Sequence, residues 1–399
     1  MNKKWYIILS TSGGFFLWGV IASLAPLATS WSIFSNNKFY YTIALITGPL
    51  FMLIGNYIMG YLADIYGRKR IFILSISLYI LGSLIIYISI NFIIFEIGLI
   101  LSNFGIGGEE PPALSILSEN FEPSERKYTL TLVPNMFNLG GLVLAYLTLL
   151  PIFASENAQR FPFILISILG SFILLIVRIY IPESYLWLKR VGKEKDSEIV
   201  KNELKIVDDG VKVNLPPKRL IYIILILLGV SQYMSFWLLA ITIGPYFYPN
   251  QTGMIILYAM LGATIGGFIS LPVIKLGKKL FTLISFSFGF LSILILLFFI
   301  NNFTVFLMIL MINMVFSEFA WISRTNLEPE LFETLNRSRG IATVRILPIT
   351  IYIIMLYVSI YLNIQEFITI NIVLWLIGLM AAYIWYIRGI ETINISLDM

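Results

Sequence analysis

Long apolar segments alternate with short polar breaks along nearly the whole chain. A run of about 20 apolar residues is long enough to cross the hydrocarbon core of a bilayer as a helix. The polar breaks divide the chain into twelve such runs, at residues 5–29, 40–61, 71–90, 92–118, 128–153, 162–181, 219–246, 253–274, 280–300, 303–323, 341–362 and 367–388. The pattern predicts an all-α integral membrane protein with twelve transmembrane helices.

One polar segment, residues 182–218, is much longer than the other breaks and follows the sixth predicted span. Its mixed acidic and basic composition is typical of short surface helices with a flexible connector, not of a folded domain. It therefore divides the chain into an N-terminal six-helix bundle, residues 1–181, and a C-terminal six-helix bundle with a short tail, residues 219–399.

The two halves also repeat each other weakly. The segment GYLADIYGRKR at Gly60–Arg70 reappears as SLPVIKLGKKL at Ser270–Leu280, an offset of 210 residues. The segment SENFEPSERK at Ser118–Lys127 reappears as PELFETLNRS at Pro329–Ser338, an offset of 211 residues. Nearly the same offset at two places indicates an internal duplication, which would relate the two bundles by a pseudo-two-fold axis.

The composition fits a membrane protein and excludes several kinds of chemistry. Hydrophobic residues make up 58% of the chain, charged residues only 12%, and the mean hydropathy is +0.88. The chain contains neither cysteine nor histidine, which excludes disulfides, thiol nucleophiles, histidine proton relays and Cys/His metal sites. We therefore predict a protein that is not an enzyme, with no catalytic residues, no metal and no cofactor.

The basic residues are distributed unevenly between the two sides of the predicted bilayer. If the N-terminus lies inside, Lys38 and Arg160 are outside, Arg324 and Arg345 lie within spans, and the other 23 of the 27 lie on inner segments. This asymmetry follows the positive-inside rule and predicts a multi-pass cell-membrane protein with both termini in the cytoplasm. Because topology explains the net charge of +5, we expect a lipid bilayer and no nucleic acid as partner.

The segment GIGGEEPPALSILSENFEP at Gly105–Pro123 places two glutamates and two prolines inside the fourth predicted span. Pro111 and Pro112 lack a backbone N–H and interrupt helical hydrogen bonding, so the segment has to line water, substrate or packed protein. Glu109 and Glu110 fall near the middle of the span and, as helix neighbours, point about 100° apart. We expect one of them to face a central cavity and the other a neighbouring helix.

Several short motifs carry a family resemblance. The loop between the second and third spans contains Gly60, Asp64, Gly67, Arg68 and Lys69, PES with Glu183 follows the sixth span, and ELFETLNR from Glu330 to Arg337 follows the tenth. These motifs resemble the major facilitator superfamily and its sugar-porter branch. GIGGEEP followed by SENFEPSER is similar to the pattern of phosphate and organic-acid proton symporters. The resemblance implies two six-helix bundles that work by alternating access.

The resemblance also implies a latch on the inner side. In the family, the acid that corresponds to Asp64 contacts the facing bundle near the start of the eleventh helix, where the helix dipole is positive. Arg68 and Lys69 lie beside it and would also anchor the loop against anionic lipid. Arg126 and Arg337 occupy matching places in the repeat, and we expect them to belong to the same latch.

The paired acids are predicted to be the proton-coupling site, because Glu109 aligns with the acidic residue of the symporter pattern and Glu110 lies beside it. One charged carboxylate at this depth costs roughly 2.5–3.5 kcal/mol, and adjacent carboxylates resist double ionisation. At least one of the two should therefore hold a proton. The alternative is that both acids pair with Arg324 or Arg345 in a purely structural role.

Other polar residues in the spans are candidates for substrate binding. They are Asn135, Asn138, Gln232, Tyr233, Trp237, Glu318, Arg324 and Arg345. An arginine that faces a cavity would suit a carboxylate or phosphate, whereas Asn and Gln also join spans by hydrogen bonds. For Glu318 and Arg324 the alternative is an ion pair within one helix.

Together these features predict a secondary active transporter that works as a proton symporter for a small polar metabolite, such as a sugar or an organic or inorganic anion. No glycine-rich phosphate loop is present, so no ATP is implied. Two alternatives are open: proton-coupled efflux of a drug or metabolite, and a nutrient receptor with a transporter fold. We expect the protein to be monomeric.

Overall fold

The computed structural model describes residues 3–28, 31–34, 38–153, 155–206, 213–393 and 395–397. Within these residues, twelve helical stretches are long and apolar enough to span a membrane, which confirms the predicted number of spans. Six of the spans begin at the same end of the molecule with a basic residue in the first turn: Lys3, Arg68, Arg126, Lys218, Lys278 and Arg337. We call this end the basic end.

The spans form two bundles of six. The N-terminal bundle contains α1 (Lys3–Leu27), α2 (Lys38–Tyr66), α3 (Arg68–Tyr87), a fourth span made of α4 (Phe92–Gly107) and α5 (Glu110–Asn120), then α6 (Pro123–Leu149) and α7 (Glu156–Tyr180). Two short helices follow, α8 (Tyr185–Arg190) and α9 (Glu194–Leu204). The C-terminal bundle contains a seventh span made of α10 (Lys218–Trp237) and α11 (Ile243–Phe247), then α12 (Thr252–Val273), α13 (Lys278–Phe298), α14 (Phe303–Glu330), α15 (Arg337–Val358) and α16 (Ile364–Arg388). The bundles meet mainly where α2 packs on α15 and α6 packs on α12.

The segment between the bundles contains the two short helices expected from its composition. Ser184 begins α8 by accepting a hydrogen bond from the Trp187 backbone N–H through its hydroxyl oxygen, at 3.1 Å, as a good N-cap residue does. The Ser197 hydroxyl of α9 donates to the Tyr185 carbonyl at 2.8 Å, which holds the two helices together. The flexible connector predicted after them includes residues 207–212, which lie outside the described residues.

The internal duplication predicted from the sequence is visible in the backbone. Gly67 and Gly277, 210 positions apart, precede α3 and α13 with φ angles of 100° and 120°, a conformation that favours glycine. The first turn of each helix then donates backbone N–H groups to one glutamate, Glu183 for α3 and Glu391 for α13. The same local structure therefore occurs once in each bundle.

Glycines bring several spans into close contact, as is common where packing drives helix association in a bilayer. Gly55 of α2 is one example, because a Cβ atom built there would overlap the backbone carbonyl of Phe104 on α4. The chain therefore needs a residue without a side chain at this crossing. Gly48, two turns earlier on α2, is less crowded, since its Cβ atom would lie 3.7 Å from Asn103 Oδ1.

Gly55→Ala should destabilise the protein, because the added methyl group would push α2 away from α4. We expect a loss of about 1–3 kcal/mol, as for other overpacked interiors, measured as a lower unfolding temperature of the purified protein in detergent. The matched control is Gly48→Ala on the same helix, which should be neutral or stabilising by up to about 1 kcal/mol. Equal stability of the two variants would contradict this packing account.

Candidate functional site

The fourth span is broken at the two glutamates. Helix α4 ends at Gly107, and α5 begins at Glu110 with the two prolines in its first turn, where a missing N–H is tolerated. Glu109 and Glu110 are both buried, with 1% and 3% of their surface exposed. As expected for adjacent helical residues, they point in different directions, and each has a separate set of partners.

Glu109 faces the interior of the N-terminal bundle. Its two carboxylate oxygens accept hydrogen bonds from the Arg178 guanidinium at 2.6 and 2.7 Å, and one of them also accepts from the Ser75 hydroxyl at 2.8 Å. The alternative expectation paired Glu109 with Arg324 or Arg345, and that choice of partner was wrong. The sequence prediction placed Arg178 among the basic residues of the inner segments. In the structure, its side chain points into the bundle from the otherwise apolar last turns of α7.

Glu110 faces the C-terminal bundle and pairs with Arg345 of α15, as the alternative reading expected for this residue. One Glu110 oxygen also lies 3.3 Å from the indole Nε1 of Trp321 on α14. The contact therefore joins the two bundles in the middle of the membrane. Proton coupling through Glu109 and Glu110 stays a prediction, but only Glu110 lies at the surface where the bundles meet.

The arginine of this contact belongs to a buried charge network. Arg345 also bonds Glu328 at 2.5 Å, Glu328 bonds Arg324 at 3.0 Å, and Arg324 donates to the Gln232 side-chain oxygen at 2.6 Å. Together with Glu110, the network holds two acids and two arginines. Glu328 was not among the predicted site residues, although its spacing of four positions from Arg324 is the spacing of a helical ion pair.

The predicted ion pair between Glu318 and Arg324 does not form. Six positions separate them, which places them on different sides of α14, whereas ion pairs within a helix need three or four. Arg324 therefore pairs with Glu328, and Glu318 instead accepts a hydrogen bond from the Asn138 amide of α6 at 2.7 Å. The expectation was wrong because six residues is too long a spacing for two side chains to meet along one helix.

The amide side chains predicted to bind substrate make contacts within the protein. The Asn135 amide donates to the Thr264 carbonyl of α12 at 3.1 Å, and the Asn138 amide donates to the Asn135 side-chain oxygen at 3.0 Å. Gln232 accepts from Arg324. In this conformation all three residues join helices, two of them across the boundary between the bundles.

Aromatic residues fill the centre between the bundles. The predicted residues Tyr233 and Trp237 of α10 contact Tyr352 of α15, with ring centroids 6.0 and 5.8 Å apart. Across the boundary, Trp18 of α1 lies edge-on to Trp321 of α14 at 5.9 Å. A cavity of about 20 Å³, lined by residues of both bundles including Trp237 and Tyr352, has room for about one water molecule. A larger substrate therefore requires these side chains to move.

The backbone of the seventh span is irregular beside this cluster. Residues 238–242 form a π-helical turn between α10 and α11, a local widening that is frequent at functional sites. The hydroxyl of Thr242 in this turn lies 3.0 Å from the hydroxyl of Tyr352. The turn and the aromatic cluster thus touch directly.

At the basic end, Asp64 makes the interbundle contact that the family resemblance implied. Its carboxylate accepts hydrogen bonds from the backbone N–H groups of Arg339, at 2.9 Å, and Ser338, at 3.4 Å. Both donors lie in the first turn of α15, where the helix dipole favours a negative charge. Arg68 lies 3.2 Å from the same carboxylate.

Glu119 of α5 forms a second contact between the bundles. It lies 2.6 Å from Arg337 of the C-terminal bundle and 3.0 Å from Arg68 of its own bundle, and all three side chains are fully buried. Arg68 also donates to the Thr334 carbonyl across the boundary at 2.9 Å. One acid is thus shared by two arginines from opposite halves of the chain.

Glu330 repeats this arrangement from the other half. It lies 2.6 Å from Lys278 of its own bundle and 3.7 Å from Arg126 of the N-terminal bundle. Glu330, Lys278 and Arg126 correspond by the internal duplication to Glu119, Arg68 and Arg337, respectively. We call the seven residues the basic-end cluster: Asp64, Arg68, Glu119, Arg126, Lys278, Glu330 and Arg337.

The remaining motif residues position this cluster. Gly60 packs against the Ser338 carbonyl at the start of α15, and the Lys69 ammonium group donates to the Ile179 carbonyl at 2.6 Å. Burial raises the pKa of Glu183 above its ordinary value, whereas backbone N–H donors and the charge of Arg68 act in the opposite direction. Because its carboxylate accepts hydrogen bonds from the backbone N–H groups of Arg68 and Lys69, Glu183 connects the loop after α7 to the first turn of α3.

Glu109→Gln should destabilise the protein, because it leaves the Arg178 charge buried without a counter-charge. We expect a loss of about 3–5 kcal/mol, measured by unfolding in detergent, and partial recovery in the double variant Glu109→Gln/Arg178→Gln. Glu203→Gln, which removes an ion pair that Glu203 forms with Lys3 at the surface, should cost under about 1 kcal/mol. A Glu109→Gln protein as stable as the wild type would overturn the pairing.

Arg337→Gln should loosen the basic end, because Glu119 then loses its partner in the other bundle. The chain has no native cysteine, so Ser115→Cys, at a buried position beside Ser338 of α15, reports opening by its rate of maleimide labelling. We expect Arg337→Gln to raise that rate by about tenfold, equivalent to about 1.4 kcal/mol. Lys218→Gln, which removes an exposed ion pair within the C-terminal half, should leave it unchanged; equal rates in both variants would contradict the role of Arg337.

Two curated relatives show what kind of protein this chain is similar to. The putative niacin/nicotinamide transporter NiaP of Bacillus subtilis is 30% identical over 135 residues, which cover 33% of this chain and 32% of that protein. The beta-alanine transporter of Drosophila melanogaster is 29% identical over 195 residues, which cover 48% of this chain and 30% of that one. The chain therefore aligns with about a third of the length of these relatives.

A solved structure shares the fold over the full length. The proton:xylose symporter XylE bound to 6-bromo-6-deoxy-D-glucose superposes with a TM-score of 0.80 at 14% identity, covering 100% of this chain and 98% of that one. The fold is therefore the twelve-helix fold of a multi-pass membrane protein. Since the family model of that fold also matches residues 7–273, the larger part of the sequence, the chain belongs to the Major Facilitator Superfamily.

Proposed function

We propose that this protein is a secondary active transporter, not an enzyme, and that it moves a small polar molecule by alternating access. The observation that carries the proposal is the basic-end cluster, in which buried ion pairs connect two duplicated bundles across one boundary. Breaking these pairs and reforming them lets the bundles rock around a central site, as in other carriers built from repeats. The basic-end cluster acts as the latch in this mechanism.

The proposed substrate is a small polar metabolite, a sugar or an organic or inorganic anion, carried together with protons. Relatives and neighbours are named for transport of niacin or nicotinamide, beta-alanine and xylose. The buried network with Arg324 and Arg345 supplies positive groups that would pair with an anionic substrate once the aromatic cluster opens.

The proposed location is the cell membrane, with the basic end in the cytoplasm. This orientation places both the loop of Arg68 and the loop of Lys278 on the inner side, as the positive-inside rule requires. One chain supplies both bundles and the whole boundary between them, so the protein works as a monomer.

A ligand panel followed by flux measurement tests this function. Xylose, glucose, nicotinate, beta-alanine and phosphate are added to the purified protein at two pH values, and a ligand that binds the folded state raises its unfolding temperature. At about 100 times its Kd a ligand adds about 2.7 kcal/mol. We expect the compound that stabilises the protein to accumulate in proteoliposomes when a proton gradient is applied.

The alternatives give different results in the same vesicles. If the compound leaves the vesicles while protons enter them, the protein is an efflux antiporter, and symport is overturned. Binding without flux would show a receptor, a role suggested by the name of one relative, monosaccharide-sensing protein 3 of Arabidopsis thaliana. Arg337→Gln serves as a matched variant, because a loosened latch should reduce flux more than binding.

A further inference from the structure

Two buried acids, Glu96 and Glu318, have no cationic partner among the described residues. Glu96 lies near the start of α4, at the end of the molecule opposite the basic end, whereas Glu318 lies in the middle of a span. Glu318 is 1% exposed, and one of its oxygens accepts a hydrogen bond from Asn138 at 2.7 Å. The other oxygen, Oε1, is buried and makes no hydrogen bond within the described part of the chain. A carboxylate in this position, if ionised, would be an uncompensated charge in the middle of the membrane.

The neighbouring acids are compensated. Glu109 pairs with Arg178, and Glu110 and Glu328 share Arg324 and Arg345, so that each group contains equal numbers of acids and arginines. The cations of the basic-end cluster are bound to the acids of that cluster. No arginine of these networks is left over to neutralise Glu318.

The helices packed against α14 bring no charged side chain to Glu318. Helix α12 contains no Asp, Glu, Lys or Arg, and those of α6, α10 and α13 lie in the first turns at the basic end. The charged residues of α5 and α15 lie in the networks described above or at the basic end, and Tyr233 of α10 lies in the aromatic cluster. The groups that face Glu318 are Asn138 and the Gly266 backbone region of α12.

The site lies at mid-depth on the boundary between the bundles. Glu318 is near the middle of the 28-residue helix α14, and Asn138 is near the middle of the 27-residue helix α6. Asn135, one turn from Asn138, donates to the Thr264 carbonyl of the C-terminal bundle at 3.1 Å. Glu318 and the two amides therefore form a polar contact that crosses between the halves of the protein.

We propose that Glu318 is a proton-binding site of this protein, in addition to the predicted pair Glu109 and Glu110, and that its protonation is coupled to the contact between α6 and α14. The neutral acid fits the dry, uncharged site seen here. Loss of the proton to water leaves a carboxylate that needs water or a cation, which favours separation of the two helices. A proton bound from one side of the membrane and released to the other completes the cycle, and no other reactant is consumed.

Infrared spectroscopy of the purified protein in detergent tests the protonation state without any substrate. At neutral pH we expect the wild type to show one more protonated carboxylic acid than Glu318→Gln, whose amide imitates the neutral acid. Glu203→Gln, which changes an acid at the surface, should leave the protonated acid signal unchanged. Glu318→Met provides the same comparison if the glutamine variant does not fold, and an unchanged signal in either variant of Glu318 would overturn the proposal.

Distance measurements test the coupling. In the cysteine-free chain, spin labels are placed on Tyr66→Cys and Leu335→Cys at the basic end, or on Ile152→Cys and Tyr361→Cys at the opposite end, all exposed positions in different bundles. We expect the label distances of at least one pair to change as the pH is raised from about 5 to about 9, and adding Glu318→Gln to abolish the change. Glu318→Asp should restore it.

The outcomes separate this proposal from the proposed function. The part of the proposal that concerns coupling rests on alternating access, whereas the infrared comparison does not. A pH response that persists in Glu318→Gln would overturn coupling through Glu318 while leaving the transporter assignment in place. A failure of flux in the ligand panel would not change the infrared result.

Discussion

The structure depends on one constraint: a charge buried in a lipid-embedded bundle needs a compensating charge or a proton. Lipid offers no water to solvate an ion, so an unpaired carboxylate or guanidinium at this depth is expensive. The broken fourth span illustrates the constraint, because its two adjacent glutamates are tolerated only by turning toward two different arginines, Arg178 within one bundle and Arg345 in the other. The positions of the charged side chains therefore decide which helices have to touch.

The same rule organises the basic end in a more symmetrical way. Glu119 and Glu330 are related by the internal duplication, and each is bound by one cation of its own bundle and one of the facing bundle. A pair of contacts arranged in this way closes one side of the boundary from both halves at once. Asp64 breaks the symmetry, since its duplicate position is Ile274, and its contact to the first turn of α15 has no counterpart there.

The middle of the membrane is not symmetrical. The N-terminal bundle keeps its charge pair, Glu109 and Arg178, inside itself, whereas the C-terminal bundle presents Arg345 and Glu318 to the boundary. Aromatic side chains occupy the space around them, so the polar groups in this conformation bind one another. The duplicated bundles thus allow the rocking movement, whereas the residues that differ between the two bundles form the charged and polar groups at the boundary.

The sequence by itself determined the twelve spans, the duplication and the positions at which the fourth span breaks, because hydropathy, proline and glycine act locally or over a regular period. The contact of Asp64 with α15 was implied only by the family resemblance of its loop. Partners were harder to predict. The pairing of Arg178 with Glu109 and of Asn138 with Glu318 depends on which helix faces meet, which no spacing along one helix reveals. The pair of Arg324 and Glu328, four residues apart on α14, is the kind of contact that spacing does indicate. The tertiary structure alone decided which buried acids are left without a cation, since charge compensation is a property of neighbours in space.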